Sequence, residues 1–223
     1  MNILVLAPHA DDEILGCGGT IARHEADGHT IHVAVLTNAS VGAPELFSPG
    51  DIAVIRREAV NAHQLLGVKR SEFCELPAPC LDQYPAYKIS LEIARLINSC
   101  SPTTLYIPHR GDLHKDHRLV FEAALVAARP VPNCPVKNIF AYETLSETEW
   151  APPFGDDSFI PDHFVGIEPY LERKLTAFAC FASQQKPFPH PRSPEGIVAL
   201  ARYRGITVGM AAAEAFMTVR TIR

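Results

Sequence analysis

Ile3-Leu4-Val5-Leu6-Ala7-Pro8-His9-Ala10-Asp11-Asp12-Glu13 sets the frame for the whole chain. Five apolar residues in succession, closed by a proline, read as a strand buried on both faces, as in a parallel sheet. In open α/β sheets the segments after such strands face the ligand crevice. An imidazole and adjoining carboxylates are thus delivered to the place where small molecules bind. Neighbouring carboxylates repel unless a proton or a cation lies between them, and a divalent metal is the simplest resident.

Outward from this stretch, strand and helix signals alternate. Strands are expected at 3–7, 32–36, 73–76, 104–108, 136–141 and 162–167. Helices are expected at 14–26, from Asp51 as its cap to Leu66 with Gly67 as its stop, up to Asn98, after His114, at 170–182 and at 194–203, with further helix at 211–216. This order predicts an α/β, single-domain, Rossmann-like three-layer fold with a mainly parallel sheet of five to six strands, residues 1–223 forming one domain. Segments 39–50, 77–86 and 109–113 follow strands and should gather on the rim that carries His9 to Glu13. The proline-rich stretch 184–194 cannot be regular helix; it either covers the site or joins two helices.

Composition narrows the function. The 223 residues allow one substantial core. With 20 Lys and Arg against 25 Asp and Glu, the net charge is −5 and no basic run appears, which argues against nucleic acid. No apolar stretch approaches the ~20 residues a membrane span needs. Met1-Asn2-Ile3 lacks the basic start of a signal peptide, so a cytoplasmic protein is expected. None of the six cysteines forms a Cys-x-x-Cys pair, and each, Cys17 included, reads as a buried small hydrophobe. Homo-oligomerisation stays open, since an apolar helix face packs equally well on a core or on a partner.

A second cluster, His114-Lys115-Asp116-His117, follows another apolar run, Thr104-Leu105-Tyr106-Ile107-Pro108. Helix-favouring sequence continues beyond it. Residues three apart on a helix share a face, with Cβ atoms roughly 5–6 Å apart, so both imidazoles can reach one site. Imidazole and carboxylate suit zinc, and three protein ligands with a fourth position open make a catalytic site. Of two adjacent aspartates, one can bind metal while the other takes a proton from water. These parts suit hydrolysis of an amide or ester. Arg56, on the helix after segment 39–50, is a candidate substrate contact. Gly16-Cys17-Gly18-Gly19 lacks phosphate-loop spacing and reads as close helix-to-sheet packing. His24, His29, His32 and His63 read as structural, and His109, His163 and His190 carry no assignment.

At these residues the chain resembles the LmbE/PIG-L family of zinc-dependent N-acetyl-sugar (N-acetylglucosaminyl) deacetylases. The family's His-Pro-Asp-Asp-Glu has Ala10 in place of proline, and its His-Pro-Asp-His has Lys115 there. The likeness extends to Arg56-Arg57-Glu58 with Leu66-Gly67-Val68, to Gly111-Asp112-Leu113-His114, to Ser183-Gln184, to Arg204-Gly205 and to Ala213-Glu214-Ala215-Phe216. It implies that His9, Asp12 and His117 bind Zn2+, that Asp11 is the general base, and that His114, as an imidazolium, holds the oxyanion and serves as acid. Asp116 would hold an imidazole in orientation. Asp112 stands where some members have a tyrosine and joins Arg56 as a candidate substrate contact. The implied reaction removes acetyl from an N-acetylglucosamine-type sugar or glycoconjugate. Two other readings remain beside it: a metal-dependent nucleotide-sugar transferase, and a non-catalytic sugar- or metal-binding protein.

Overall fold

The computed structural model describes residues 1–223. One seven-stranded sheet runs β3-β2-β1-β4-β5-β7-β6, formed by β1 (Asn2–Ala7), β2 (Thr30–Asn38), β3 (Arg70–Pro77), β4 (Thr104–Pro108), β5 (Asn138–Tyr142), β6 (His163–Gly166) and β7 (Ala213–Thr221). The first five strands pair in parallel, as the alternating pattern predicts. The sheet is nevertheless larger than the expected five to six strands and it is mixed, because β7 pairs antiparallel with both β5 and β6. The helix expected at 211–216 is the start of β7. Its alanines favour helix locally, but two neighbouring strands satisfy its backbone on both edges, and pairing outweighs propensity.

Period-two alternation divides the strands between two cores. Ile3 and Val5 face one apolar cluster, while Leu4 and Leu6 face the other. The first core lies under α1 (Asp12–Ala26), α3 (Pro49–Leu65) and α6 (Leu171–Ala179); the second lies under α4 (Ala86–Cys100) and α5 (Lys115–Ala127). A short α2 (Ala39–Gly42) opens the segment after β2, and α7 (Pro194–Ile206) follows the proline-rich stretch. In α4 the buried Ile89, Ile93, Leu96, Ile97 and Cys100 form a single stripe at helical spacing. Ser48, not Asp51, caps α3; Asp51 sits three residues in and bonds back to Ser48, completing a capping box.

The glycines of α1 do what their spacing implied. A Cβ on Gly16 would collide with the Tyr142 ring, and one on Gly19 would meet Ile167 at 2.8 Å. The helix therefore lies close on the sheet, which sets the depth at which its first residues enter the crevice. All six cysteines are free, and Cys17 is buried. No helix is long and apolar enough to cross a membrane.

Candidate active site

The two motifs meet because β1 and β4 are hydrogen-bonded neighbours, although the chain crosses from β1 to β2 on the other side. This reversal of strand order opens a crevice beyond the carboxyl ends of β1 and β4. Pro8 and His9 leave β1 into it, and Thr37 anchors the turn, its hydroxyl and backbone N–H donating to the Pro8 carbonyl at 2.8 and 3.2 Å. From β4, residues 109–114 lead to α5, with His114 at its N-cap and His117 on its first turn.

His9, Asp12 and His117 converge so that one ligand atom from each lies within 4.8 Å of the others. His117 Nε2 stands 3.2 Å from Asp12 Oδ2, and His9 Nδ1 3.4 Å from the same oxygen. Asp12 Oδ1 and His117 Nε2 are buried with no hydrogen-bond partner. Buried polar atoms are rarely left so, and two on residues that converge with His9 fit a cation. Burial lowers the affinity of His9 for a proton, but Asp116 and Asp12 outweigh it and raise its pKa to about 9. His117 is likewise raised well above its ordinary value, with Asp12 and Asp112 overcoming burial. A second grouping, His9 with His114 and Asp116, has less to offer. Asp116 Oδ1 already accepts Leu81 N–H at 3.3 Å, and His114 Nδ1 accepts Asp116 N–H at 3.2 Å.

Asp11 lies beside this group in a strained conformation, φ 117° and ψ −25°, which L residues with side chains seldom adopt and which clusters at functional sites. Burial raises its carboxyl to about 8, against the pull of Arg192, while Asp12 and Glu13 push it further up. Arg192 donates to Asp11 Oδ2 at 2.9 Å, and its Nε donates to Ser146 Oγ at 2.8 Å. Glu13 holds the turn from below: its Oε2 accepts Asp11 N–H at 3.1 Å, and its Oε1 contacts the buried His63 at 2.9 Å. Asp11, His9, His114, Glu147 and Arg192 open onto a cavity of about 250 Å³ whose far wall is apolar, with Val35, Phe47, Ile52 and Ile55.

Several expected roles shift. Asp112 does not touch the cavity. Its fully buried side chain lies behind His117, whose Nδ1 it meets at 2.8 Å, and Thr148 donates to its other oxygen at 2.6 Å. A carboxylate in that place fixes the imidazole so that Nε2 is turned toward Asp12. Asp116 plays a similar part toward His9, 3.2 Å from its Nε2. His114 is a neutral donor and not an imidazolium. Its Nδ1 accepts a backbone N–H, so the ring proton sits on Nε2; burial and the nearby His9 push its pKa down to about 4. Arg56 does line the cavity, steadied by Glu75 at 2.7 Å and by the Cys74 carbonyl at 3.0 Å. His109 bonds the Asp157 carbonyl at 2.9 Å and His163 stacks on Phe140, so both are structural.

Sequence reasoning missed Arg192, Gln184 and Glu147, which all line the cavity. The proline-rich stretch was the one signal for Arg192, while Gln184 was marked only by the Ser183-Gln184 likeness and given no role; a segment barred from helix must run over the surface, and here it runs over the site. Glu147 carried no local mark. It accepts His114 N–H at 3.0 Å, and burial raises its pKa.

Comparison with known proteins is consistent along the chain. Residues 4–128 match the PIG-L family, described as GlcNAc-PI de-N-acetylase. The uncharacterized deacetylase YaiS of Escherichia coli K12 is 29% identical over 182 residues, 79% of this chain and 88% of its own. The diacetylchitobiose deacetylase of Thermococcus kodakarensis is 26% identical over 197 residues, 82% of this chain and 70% of its own. Among solved structures, a conserved protein of Thermus thermophilus superposes with a TM-score of 0.77 at 26% identity, covering 99% of this chain and 96% of that one. A 4-carboxy-2-hydroxymuconate hydratase of Pseudomonas putida shares the fold at a TM-score of 0.76 and 21% identity, covering 100% of this chain and 97% of that one. Architecture alone therefore does not choose the reaction; the site must.

Proposed function

This chain belongs to the PIG-L family of deacetylases, hydrolases of N-acetyl amide bonds, and we propose that it removes acetyl from an N-acetylated amino sugar using one zinc ion. The observation that carries the reading is the convergence of His9, Asp12 and His117, one ligand atom from each within 4.8 Å of the others, with Asp12 Oδ1 and His117 Nε2 buried and without a hydrogen bond, next to a cavity lined by His9, Asp11 and His114. His9, Asp12 and His117 would hold the ion, a nitrogen–oxygen set that suits zinc and leaves a fourth position free. When bound, the ion supplies Lewis acidity, acidifying water and polarising the acetyl carbonyl.

The remaining work falls to the chain's own side chains. Asp11 takes the proton from the attacking water, Arg192 favours its ionised form, and the same carboxyl returns the proton to the amine as the C–N bond breaks and acetate departs. A neighbouring cation would lower its pKa further. His114 Nε2–H donates to the oxyanion as charge builds on the acetyl oxygen. Asp112 and Asp116 keep the imidazoles aimed, and Arg56 binds the sugar's polar groups from the cavity wall. Residues 1–223 act as one deacetylase domain. Six unpaired cysteines suit a reducing compartment, and we take the cytoplasm as its place.

The test is metal analysis of the purified protein followed by acetate release from a panel of N-acetylated amino sugars. Zinc at one equivalent, with release that stops on chelation and returns on adding zinc, supports the reading. Bound zinc with no acetate from any sugar would replace it with a metal- or sugar-binding protein.

A further inference from the structure

Asp11 stands at φ 117° and ψ −25°, and something must keep it there. A half-turn of the Ala10–Asp11 peptide would carry φ to about −60°, which with the same ψ is ordinary right-handed helix. The residue would then relax into the first turn of α1. Backbone conformation aims the side chain that the site uses, so whatever blocks this flip also aims the base.

The Asp11 carbonyl is not the block. It accepts Ile14 N–H at 3.0 Å and Leu15 N–H at 2.9 Å, and both bonds would survive the flip. The Asp11 N–H is held differently, donating to Glu13 Oε2 at 3.1 Å. In a trans peptide the N–H and the preceding carbonyl point in opposite directions. A flipped peptide would therefore turn the N–H away and press the Ala10 carbonyl oxygen toward the carboxylate, acceptor against acceptor.

Glu13 blocks the flip only while its own carboxylate stays in place. It is fully buried, and so is His63 on α3. A carboxylate only accepts, so His63 Nε2–H donates to Glu13 Oε1, at 2.9 Å. The other ring nitrogen, Nδ1, meets Ser71 Oγ of β3 at 2.8 Å. Phe73, two residues along β3, lies nearly parallel to the imidazole, with 15° between the planes and centroids 6.5 Å apart. Both ring nitrogens are thus engaged and the ring is fixed in its plane. His63 stands outside the group formed by His9, Asp12 and His117. Its bonds lead instead from β3 through α3 and Glu13 to the backbone of the base.

We infer that His63 is a positioning residue: anchored by Ser71 and acting through Glu13, it locks the Asp11 peptide against flipping and so holds the Asp11 carboxylate where Arg192 meets it. The inference rests on the reading of Asp11 as the base of the deacetylase.

Amide hydrogen exchange, followed by NMR on the purified protein, reads the Asp11 N–H directly, and acetate release reads the base. His63→Leu removes both ring bonds. The Asp11 amide should exchange about tenfold faster while the amides of Val5 and Leu6 in β1 keep their protection. In the same variant kcat should fall about tenfold, with KM and zinc content within twofold of the parent. His63→Gln, whose side-chain amide still donates to Glu13, should restore most of both. Asp11 exchange within twofold of the parent, faster exchange with kcat within twofold, or a loss shared equally by the β1 amides and the zinc content overturns the positioning role. If His63→Leu does not fold, Ser71→Ala, which removes only the outer bond, must still speed Asp11 exchange, and unchanged exchange there overturns it as well. Absence of acetate from every sugar, with Asp11 exchange accelerated in His63→Leu, removes the deacetylase reading and leaves the lock on the Asp11 turn standing.

Discussion

Two buried charge clusters border helix α1, one at its first turn and one at its middle. At the first turn, Asp12 and His117 are enclosed among His9, Asp112 and Asp116; Asp12 Oδ1 is buried without a hydrogen bond, and His117 Nε2 makes none either, though it lies 3.2 Å from Asp12 Oδ2. At the middle, Lys174 Nζ donates to the Leu15 carbonyl at 2.7 Å and to Glu214 at 2.6 Å. Glu214 also accepts Gly19 N–H at 2.9 Å and Thr20 N–H at 2.7 Å. Neither charged side chain there has an atom left over. Burial of charge is common to both; unspent bonding capacity on a charged side chain is not. A cluster that closes on itself holds structure together, and one that leaves a carboxylate oxygen unused beside converging imidazoles is open to a cation.

Breaking each cluster should therefore give different failures. Asp11→Ala, beside the open cluster, should cost about 10²–10⁴ in kcat with zinc content unchanged, whereas His117→Ala should lose zinc first; steady-state kinetics with metal analysis of both variants checks this. Near-parental kcat in Asp11→Ala would remove it as the base. Lys174→Met in the closed cluster leaves Glu214 buried without its cation. It should lose about 3–5 kcal/mol of unfolding free energy in denaturant titration while zinc affinity stays within twofold. An equal loss of zinc affinity would merge the two clusters into one unit.

Smaller changes sharpen the contrast. Asp112→Asn keeps the shape behind His117 but removes the charge, and zinc affinity measured by competition with a chelator should weaken about 10–100-fold. Arg192→Met acts on the base alone. Asp11 works only when ionised, burial raises its pKa, and Arg192 lowers it. Removing the guanidinium should move the acid limb of the kcat/KM profile to higher pH by about one unit at equal zinc loading. A limb that stays in place means that the ion pair does not tune Asp11.

Local pattern carried much of this organisation. The runs at 3–7 and 104–108 are almost wholly apolar because both faces of a central parallel strand are covered, and a histidine motif follows each. Gly16 and Gly19 were legible as packing glycines for a related reason: a helix pressed on a sheet has no room for a Cβ there. Strand β7 was not legible. Ala211 to Phe216 carries a helix-former's composition, and only the presence of β5 and β6 on either side turns it into a strand. Asp112 was misplaced toward substrate because sequence spacing cannot tell the front of an imidazole from its back.

The sequence by itself determined that two histidine- and aspartate-bearing turns would leave the carboxyl ends of parallel strands, because apolar periodicity is a local property of the chain. Tertiary structure alone decided that β1 and β4 would be neighbours, so that His9 and His117 face one point. It also brought Arg192 onto Asp11 across 181 positions of chain. Hydrophobic pattern states which face of an element is buried and leaves open against what. Strand order, ion pairs and the aim of an imidazole come only from how those buried faces pack together.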